Sequence, residues 1–367
     1  MKKVRVMIVE DSDVVRMLLE EIISRDPRLE VAASVSSAEE GLRLLHKVAP
    51  DVISMDIRLP GMNGFQATKR IMSEKPTPIV VVSASVEKED LKVSMNALKA
   101  GALTIVEKPV GTTRSDYQEM ADQLCTQLAI MSAVKVVRQR RPPALARVAR
   151  SSGPQVHSVR KDGAFRMLGI AASTGGPNAL EKLLGGLPAD FPLPILVVQH
   201  ITPSFLEGFA AWLDDVCPFA AAVAKDGEVP VAGKVYVAPA ESHLKVRAGR
   251  IWLDSSPPVS SQRPSGTVLF ESLAREFGSR AVGVLLTGMG NDGAKGLSEL
   301  RAAGGYTLVE DDSTAVVYGM PQAAVRLGAA CESLPLHEIA ARILDLIVDS
   351  GQEGDRREER NTANHPG

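Results

Sequence analysis

The stretch Val4–Asp11, VRVMIVED, decides how the first part of the chain folds. It is a nearly continuous apolar run that ends in two carboxylates, and residues 52–55 and 79–82 are further short apolar runs. Such runs are typical of strands that are buried on both faces of a parallel sheet. Between the first and the second of these apolar runs, apolar residues recur at every fourth position from Val14 to Ile22, as on one face of a helix. The alternation predicts a doubly wound, parallel α/β sheet.

Side chains that can bind metal ions and phosphate follow the ends of these predicted strands. Glu10 and Asp11 close the first strand, and Asp56 closes the third. If these strands are neighbours, three carboxylates meet at one sheet edge and repel one another unless a cation joins them, and Mg²⁺ prefers such oxygen ligands. Ser83 ends the fourth strand and Lys108 follows the fifth, so a hydroxyl and an ammonium can bind phosphoryl oxygens. The edge is therefore predicted to be a Mg²⁺ and phosphorylation site.

This block resembles the receiver domain of two-component response regulators, which has a flavodoxin-like fold. The resemblance is carried by the strand-end residues, by Pro109 and by the run LPGMNG at residues 59–64. It implies that Asp56 is phosphorylated by a sensor histidine kinase, that the three carboxylates bind Mg²⁺, and that Ser83 and Lys108 respond to the phosphoryl group. It also implies a cis peptide bond before Pro109.

The length of 367 residues suggests two domains, at roughly 150 residues per domain. Residues 123–161 contain no acidic residue but many basic ones, with prolines and glycines that interrupt helices, which favours a solvated tether. The last residues contain almost nothing apolar, which is typical of a disordered tail. We predict a receiver domain over 1–125, a basic linker over 126–164, a second domain over 165–348 and a disordered tail over 349–367.

Charge and cysteine content exclude several classes of function. The net charge of −2 provides no positive field for DNA, so no DNA partner is expected. The three cysteines are far apart and form no CxxC pair, which argues against a zinc site or a disulfide framework and suits a reducing cytoplasm. No apolar run approaches the length of a membrane-spanning helix, so we expect no membrane insertion.

In the second block, the glycine-rich turn STGGP at residues 173–177 follows a predicted strand and opens a helix. Pro177 suits the first helical turn, so the backbone N–H groups of the turn would point at a group held beside Ser173. Such a turn can bind a phosphate, or it can present Ser173 as a nucleophile next to oxyanion donors. The turn alone leaves both roles open, since the Gly-x-Ser-x-Gly motif is broken by Ala171.

Two later residues favour the nucleophile. His200 ends the next predicted strand, 27 positions after Ser173, which is the spacing of one strand-helix-strand unit. A right-handed crossover would bring both to one sheet edge, where the imidazole can take the serine proton. Asp292 lies in the turn TGMGNDGA at residues 287–294, where it can either orient His200 or cap the following helix. The order Ser, His, Asp differs from that of α/β-hydrolases.

Residues 165–345 resemble the catalytic domain of the chemotaxis protein-glutamate methylesterases, the CheB family. The matching motifs are ASTGGP at 172–177, VQH at 198–200, YVAP at 236–239, RPS at 263–265, the turn at 287–294 and YGMP at 318–321. The resemblance implies a Rossmann-like fold and a catalytic triad of Ser173, His200 and Asp292. It places Thr174 and the backbone of Met289 at the substrate carbonyl, and it implies no cofactor for this domain.

The resemblance also implies the function. A receiver phosphorylated on Asp56 would activate hydrolysis of glutamate methyl esters on methyl-accepting chemoreceptors, with release of methanol, and also deamidation of receptor glutamines. We hypothesise that the unphosphorylated receiver covers the Ser173 cleft. Two departures from the family pattern are Ala171, where glycine is usual, and Gly266-Thr267, where Val-Asp is usual. They tighten the backbone before Ser173 and remove a carboxylate near the predicted site.

Two other functions fit a receiver joined to a second domain. A binding module would use the Ser173 turn to hold a phosphate or peptide without hydrolysis. A transcriptional regulator would need a helix-turn-helix with a basic recognition helix, whereas residues 165–345 alternate strand and helix patterns with scattered charge.

Overall fold

The structure is a computed structural model that describes residues 2–83, 95–109, 114–134, 136 and 165–347. Most of the predicted linker and the whole of the predicted tail lie outside these residues. Within them, none of the helices combines the length and the apolar character needed to cross a bilayer.

The first domain is a five-stranded parallel sheet with the strand order β2-β1-β3-β4-β5. Residues 95–99 are also helical, before β5. The other elements are β1 (Val4–Val9), α1 (Asp13–Arg25), β2 (Leu29–Val35), α2 (Ala38–Val48), β3 (Val52–Asp56), α3 (Gly64–Glu74), β4 (Ile79–Ser83), β5 (Thr104–Glu107) and α4 (Arg114–Met131).

The continuous apolar runs of this domain correspond to strands that are covered on both sides. Every residue of β3 and β4 is buried, as expected for central strands of a doubly wound sheet. Three helices begin at a side-chain cap, in which Ser12, Ser37 and Asn63 accept hydrogen bonds from the first-turn N–H groups of α1, α2 and α3. These caps set where each connection ends and each helix starts.

The helix α4 continues past residue 125, where the sequence places the end of the receiver domain. Leu124, Leu128 and Met131 of α4 are fully buried in the core of the first domain. Val316 and Val317, from the second domain, pack against the same core cluster. Side chains of the second domain therefore pack against the core cluster to which the end of α4 belongs.

The second domain is built on a seven-stranded sheet in the order β14-β13-β12-β6-β7-β9-β8, in which all neighbouring strands are parallel. A separate antiparallel hairpin, β10-β11, packs beside it. The elements are β6 (Met167–Ala172), α5 (Gly176–Gly185), β7 (Ile195–Gln199), α6 (Pro203–Val216), β8 (Ala220–Val223), β9 (Lys234–Val237), β10 (His243–Arg247), β11 (Arg250–Asp254), α7 (Gly266–Phe277), β12 (Ala281–Leu285), α8 (Ala294–Ala302), β13 (Tyr306–Glu310), α9 (Met320–Arg326) and β14 (Glu332–Leu334), followed by a helix over 336–347.

The strand β6 lies at the topological switch point of this sheet. The next strand, β7, lies on one side of it, and β12 lies on the other. In open parallel sheets, the crevice outside the carboxyl ends of such strands is where ligands bind. The predicted α/β class, with two doubly wound parallel-sheet domains, is confirmed.

One expectation about the backbone is wrong. Among the described residues, the one cis peptide bond is Arg263-Pro264, and the bond before Pro109 is trans. The trans form is the more stable one for an X-Pro bond, by about 0.5–1 kcal/mol.

Candidate functional site

The three carboxylates of the first domain lie together at the carboxyl edge of its sheet. Ligand oxygens of Glu10, Asp11 and Asp56 all lie within 4.8 Å of one another. The Lys108 ammonium Nζ lies 2.8 Å from Glu10 Oε2 and 3.0 Å from Asp56 Oδ2. Ser83 is buried at the end of β4, on the same edge. The pairing of β1 with β3 brings these residues together, as the sequence predicts.

The electrostatics of this cluster favour an added cation. Burial raises the pKa of Asp56, and Lys108 offsets this only in part. Burial and the Asp56 charge raise the pKa of Glu10. The pKa of Lys108 is also raised, because Asp56 and Glu10 outweigh its burial. A set of carboxylate oxygens packed this closely is the donor set that suits Mg²⁺, so the residues fit the ion.

In the second domain, Ser173 lies in a tight turn between β6 and α5. Its N–H donates to Thr287 O at 3.0 Å, and its own carbonyl accepts from Gly176 N–H at 2.8 Å. Gly175 has a left-handed backbone with φ of +79°, and a Cβ atom there would lie 2.6 Å from Val316. Pro177 lies in the first turn of α5. The turn therefore requires glycine, as the motif predicts.

His200 and Asp292 form a hydrogen-bonded pair. His200 Nε2 lies 2.9 Å from Asp292 Oδ2, and both side chains are at least nine-tenths buried. The backbone N–H of His200 donates to Ala172 O at 3.0 Å, next to Ser173. The predicted crossover thus brings the histidine to the edge that carries the serine.

The carboxylate of Asp292 is held from the start of α7. Its Oδ1 accepts from Ser265 Oγ at 2.6 Å and from Thr267 N–H at 3.2 Å, and its Oδ2 accepts from Gly266 N–H at 2.6 Å. Gly293, which precedes α8, has no side-chain cap. Of the two roles open to Asp292, orientation of His200 is the one that the contacts favour.

These donors also set the charge of Asp292. Burial alone would raise its pKa, but the hydrogen bond and charge of His200, with Ser265 and Gly266 donating as well, bring the pKa below the ordinary value. The carboxylate therefore stays ionised and can stabilise a cationic imidazole.

Ser173 and His200 line one cavity of about 590 Å³, which also contacts Thr174, Met289 and Asp292. No hydrogen bond joins Ser173 to the His200 ring among the described residues, and catalytic contacts of this kind often tighten only with substrate. Because Nε2 faces Asp292, the ring nitrogen left for Ser173 is Nδ1. Thr174 is buried, and Met289 is half exposed on the turn before α8.

Residues of the first domain close this cavity. The α4 residues Glu119, Gln123 and Gln127, spaced four apart on one helix face, line it together with Leu98 and nearby residues. The region around Ser173 is therefore enclosed between the two domains.

Two further buried residues support the site, and the sequence did not assign them a role. Gln199 Nε2 donates to Ser173 O at 2.8 Å and to His200 O at 2.9 Å. Glu310, at the end of β13, accepts from Thr287 N–H at 2.9 Å. Both are polar residues at the end of a buried strand, which is the signal that could have identified them.

Thr287 connects Glu310 to the nucleophile turn. Its carbonyl accepts from Ser173 N–H, its hydroxyl donates to Thr174 O at 2.9 Å, and the same hydroxyl accepts from Val317 N–H at 2.9 Å. Burial raises the pKa of Glu310 to about 7. The turn that carries Ser173 is thus held by a buried hydrogen-bond network that ends in the carboxyl group of Glu310.

The two departures from the family pattern are packed against each other. A Cβ atom at Gly266 would lie 2.6 Å from the Cβ of Ala171 and 3.4 Å from Asp292 Oδ2. A side chain at 171 therefore requires a glycine at 266. Thr267, at the second departure, accepts from Gly293 N–H at 2.8 Å and so holds the turn that carries Asp292.

Comparisons with known proteins agree with the two-domain organisation. The family model "CheB methylesterase" matches residues 168–343, and the model "Response regulator receiver domain" matches residues 6–116. A protein-glutamate methylesterase/protein-glutamine glutaminase 2 from Paramagnetospirillum magneticum is 58% identical over 347 residues, which cover 95% of this chain and 98% of that protein. A protein-glutamate methylesterase/protein-glutamine glutaminase from Nitrosospira multiformis is 42% identical over 95% of this chain and 98% of that protein.

A crystal structure of the Thermotoga maritima CheB methylesterase catalytic domain is also similar. It is 36% identical and covers 50% of this chain and 99% of that one, with a TM-score of 0.48.

The contact between Ala171 and Gly266 predicts a compensating pair of substitutions. Gly266→Ala alone should destabilise the second domain by about 1–3 kcal/mol, because the new methyl group overlaps Ala171. Ala171→Gly in the same chain should recover most of this loss. Urea unfolding measures both, with Gly185→Ala as control, since a Cβ there meets no atom within 4 Å. Additive effects of the two substitutions would contradict the contact.

Glu310 predicts a pH dependence of stability. Its pKa is about 7 in the folded chain and 4.5 ordinarily, so between these values the folded chain keeps a proton that the unfolded chain has lost. Stability should therefore fall as pH rises through this window, by up to ~3 kcal/mol from this group. Glu310→Gln should remove that loss, so its free energy of unfolding relative to wild type should be higher at pH 8 than at pH 5. The same difference in unfolding free energy between variant and wild type at both pH values would contradict the prediction. The control is Glu338→Gln, at an exposed position.

Proposed function

The chain belongs to the CheB methylesterase family, and from this membership we propose that it hydrolyses glutamate methyl esters on a methyl-accepting chemoreceptor and releases methanol. The same site deamidates receptor glutamines, and phosphorylation of Asp56 activates both reactions in chemotaxis adaptation. The observation that carries the proposal is the hydrogen bond between His200 and Asp292, in one cavity with Ser173 at the switch point of a parallel sheet.

The proposed mechanism uses the three residues in turn. Ser173 Oγ attacks the side-chain carbonyl of the ester, and His200 Nδ1 takes the hydroxyl proton. The ionised Asp292 stabilises the resulting imidazolium. As the tetrahedral intermediate collapses, His200 returns the proton to the departing methoxide, and methanol leaves an acyl-enzyme on Ser173. Water, deprotonated by His200, then attacks this acyl group. The bond between Ser173 Oγ and the acyl carbon breaks as His200 returns the proton to Ser173 Oγ, and the glutamate product is released.

The substrate oxygen acquires negative charge in both steps. Among the described residues, the N–H groups of Thr174 and Met289 donate to no protein acceptor, and both residues line the cavity. We assign these two groups to the oxyanion, which backbone donors stabilise more strongly than the starting carbonyl. A glutamine amide passes through the same intermediate, with ammonia as the leaving group.

The receiver holds the enzyme inactive by covering Ser173. Besides the α4 face, polar contacts between described residues join the domains: Asn178 Nδ2 donates to Ala102 O at 3.3 Å, Ser204 Oγ donates to Glu107 Oε2 at 3.1 Å, and Lys99 pairs with Glu181 at 3.4 Å. Glu107 precedes Lys108 in the chain. A change at Asp56 that moves Lys108 therefore also affects the adjacent Glu107, which contacts the second domain.

Phosphorylation comes from a sensor histidine kinase. Glu10, Asp11 and Asp56 would hold Mg²⁺, and the bound ion would supply positive charge that neutralises a phosphoryl group. Ser83 and Lys108 contact the phosphoryl oxygens. Movement of Lys108 toward the new charge then weakens its contact with Glu10 and strains the adjoining domain contact.

The reaction takes place in the cytoplasm. Cys125, Cys217 and Cys331 are free thiols, as suits a reducing compartment. Burial raises the pKa of Cys125 to about 11 and that of Cys217 to about 12, so neither thiol is a nucleophile at neutral pH.

The direct test is mass spectrometry of a methylated receptor incubated with the full chain, Mg²⁺ and a small phosphoryl donor. Wild type should remove methyl groups, and Ser173→Ala should slow this by roughly 10⁴-fold or more. Asp56→Asn should remove the response to the phosphoryl donor. Methyl loss that survives Ser173→Ala would falsify the mechanism.

The domain contact predicts a charge-swap effect on the resting enzyme. Lys99→Glu places two acidic groups together, which weakens the closed state, so the unphosphorylated rate should rise about two- to fivefold. Combining it with Glu181→Lys restores the attraction and should return the rate to that of wild type. Lys47→Glu, at an exposed position on α2, is the control. A rate that is unchanged in Lys99→Glu would argue against this contact as part of the closed state.

A further inference from the structure

A second groove adjoins the active-site cavity. It has a volume of about 560 Å³ and lies between the start of α8 and the helix α9. Ser260, Gly290 and Asn291 line both the groove and the cavity that contains Ser173. A chain segment bound in the active site can therefore continue into this groove.

The groove is basic. Lys295 and Arg326 line it and are exposed, no acidic residue lines it, and neither side chain takes part in an ion pair within the described part of the chain. Lys295 lies in the first turn of α8, where the helix dipole disfavours a cation. The positive charge is thus placed at a position that helix stability does not explain.

The groove also borders exposed apolar side chains. Leu327, which lines the groove next to Arg326, is 58% exposed, and Met289, which precedes the groove residue Gly290 and lines the adjoining cavity, is 51% exposed. Ser260, on the shared rim, has a left-handed backbone with φ of +52°. Strained backbone of this kind costs free energy and is concentrated at binding sites. Apolar surface flanked by two cations suits an amphipathic, acidic helix.

We propose that this groove binds a segment of the protein substrate that carries free glutamate carboxylates beside the ester being hydrolysed. The inference rests on the proposed function, because hydrolysis converts a neutral ester into a carboxylate. A substrate segment with several glutamyl sites gains negative charge at each turnover. Lys295 and Arg326 are placed to bind those carboxylates, so a site next to a hydrolysed one becomes the better substrate.

The groove lies outside the closed domain contact. All its lining residues belong to the second domain, within the described part of the chain. A substrate segment can therefore bind there while the receiver still covers Ser173. Binding in the groove should change little when Asp56 is phosphorylated.

The test uses two helical peptides with one γ-methyl glutamate at the centre. In one, glutamates lie four and seven residues to either side on the same face, and in the other glutamines replace them, with the same shape and no charge. Binding to full-length Ser173→Ala is measured by fluorescence anisotropy. The glutamate peptide should bind about five- to tenfold more tightly, from two exposed charge pairs, and this preference should shrink at high salt.

The matched variants reverse the same amount of charge at opposite edges of the sheet. Lys295→Glu/Arg326→Glu should abolish the preference for the glutamate peptide. Arg166→Glu/Arg280→Glu, at exposed positions before β6 and β12, should leave it within about twofold. Urea unfolding checks that both remain folded, and Lys295→Glu places an acidic group where the α8 dipole favours one.

The outcomes separate this inference from the proposed function. Equal affinity for the two peptides would contradict the proposed role of the groove. An equal loss of the preference for the glutamate peptide in both double variants would contradict it as well. Methanol release from the ester peptides by the phosphorylated wild-type chain is measured in parallel. If methanol is released but the two peptides bind equally, the proposed esterase activity stands and the proposed role of the groove is wrong. If the glutamate peptide binds more tightly but no methanol is released, the groove is supported and the proposed esterase activity is wrong.

Discussion

The carboxylate of Asp292 is buried, ionised and shared by four hydrogen-bond donors, and the catalytic geometry of the second domain depends on it. A buried charge is costly unless its partners compensate for it. Here the donors come from the β7 end and from residues 265–267 at the start of α7, so one carboxylate ties two distant segments to the turn before α8. The loss of any one donor would leave the others around an undercompensated charge. His200 is therefore oriented by the whole domain and not by a single neighbour.

The contact between the two domains also depends on a few residues. The receiver reaches the catalytic cleft with one polar face of α4 and with the strand that leads to Lys108. Because Glu107 and Lys108 are adjacent, one contacts Ser204 of the second domain while the other contacts Asp56. The carboxylate cluster around Asp56 and the contact between the domains thus share a backbone segment, which would give a phosphoryl group on Asp56 a short route to the cleft.

Residues at strand ends were predictable because parallel sheets align the carboxyl ends of their strands. The positions of Asp56, Ser173 and His200 at the sheet edges were predicted in this way, by counting one crossover at a time. The partners of Asp292 were not predictable, because Ser265 and Thr267 meet it through the packing of α7 on the sheet, which no local pattern encodes. For the same reason the role of Glu310 and the compensation between Ala171 and Gly266 emerged only in three dimensions. The cis form of the peptide bond before Pro109 was predicted from the family resemblance alone, and this prediction was wrong.

Val316 has two neighbours whose functions differ. On one side it fills the space beside Gly175, where the Ser173 turn allows no side chain, and on the other it packs, like Val317, against the receiver core. The receiver is therefore a structural support for the turn as well as a cover over it. A catalytic fragment without its receiver loses that support, so it is a poor stand-in for the phosphorylated enzyme. Receivers exchanged between relatives would likewise need to match this valine pair, which makes the two domains a co-adapted unit.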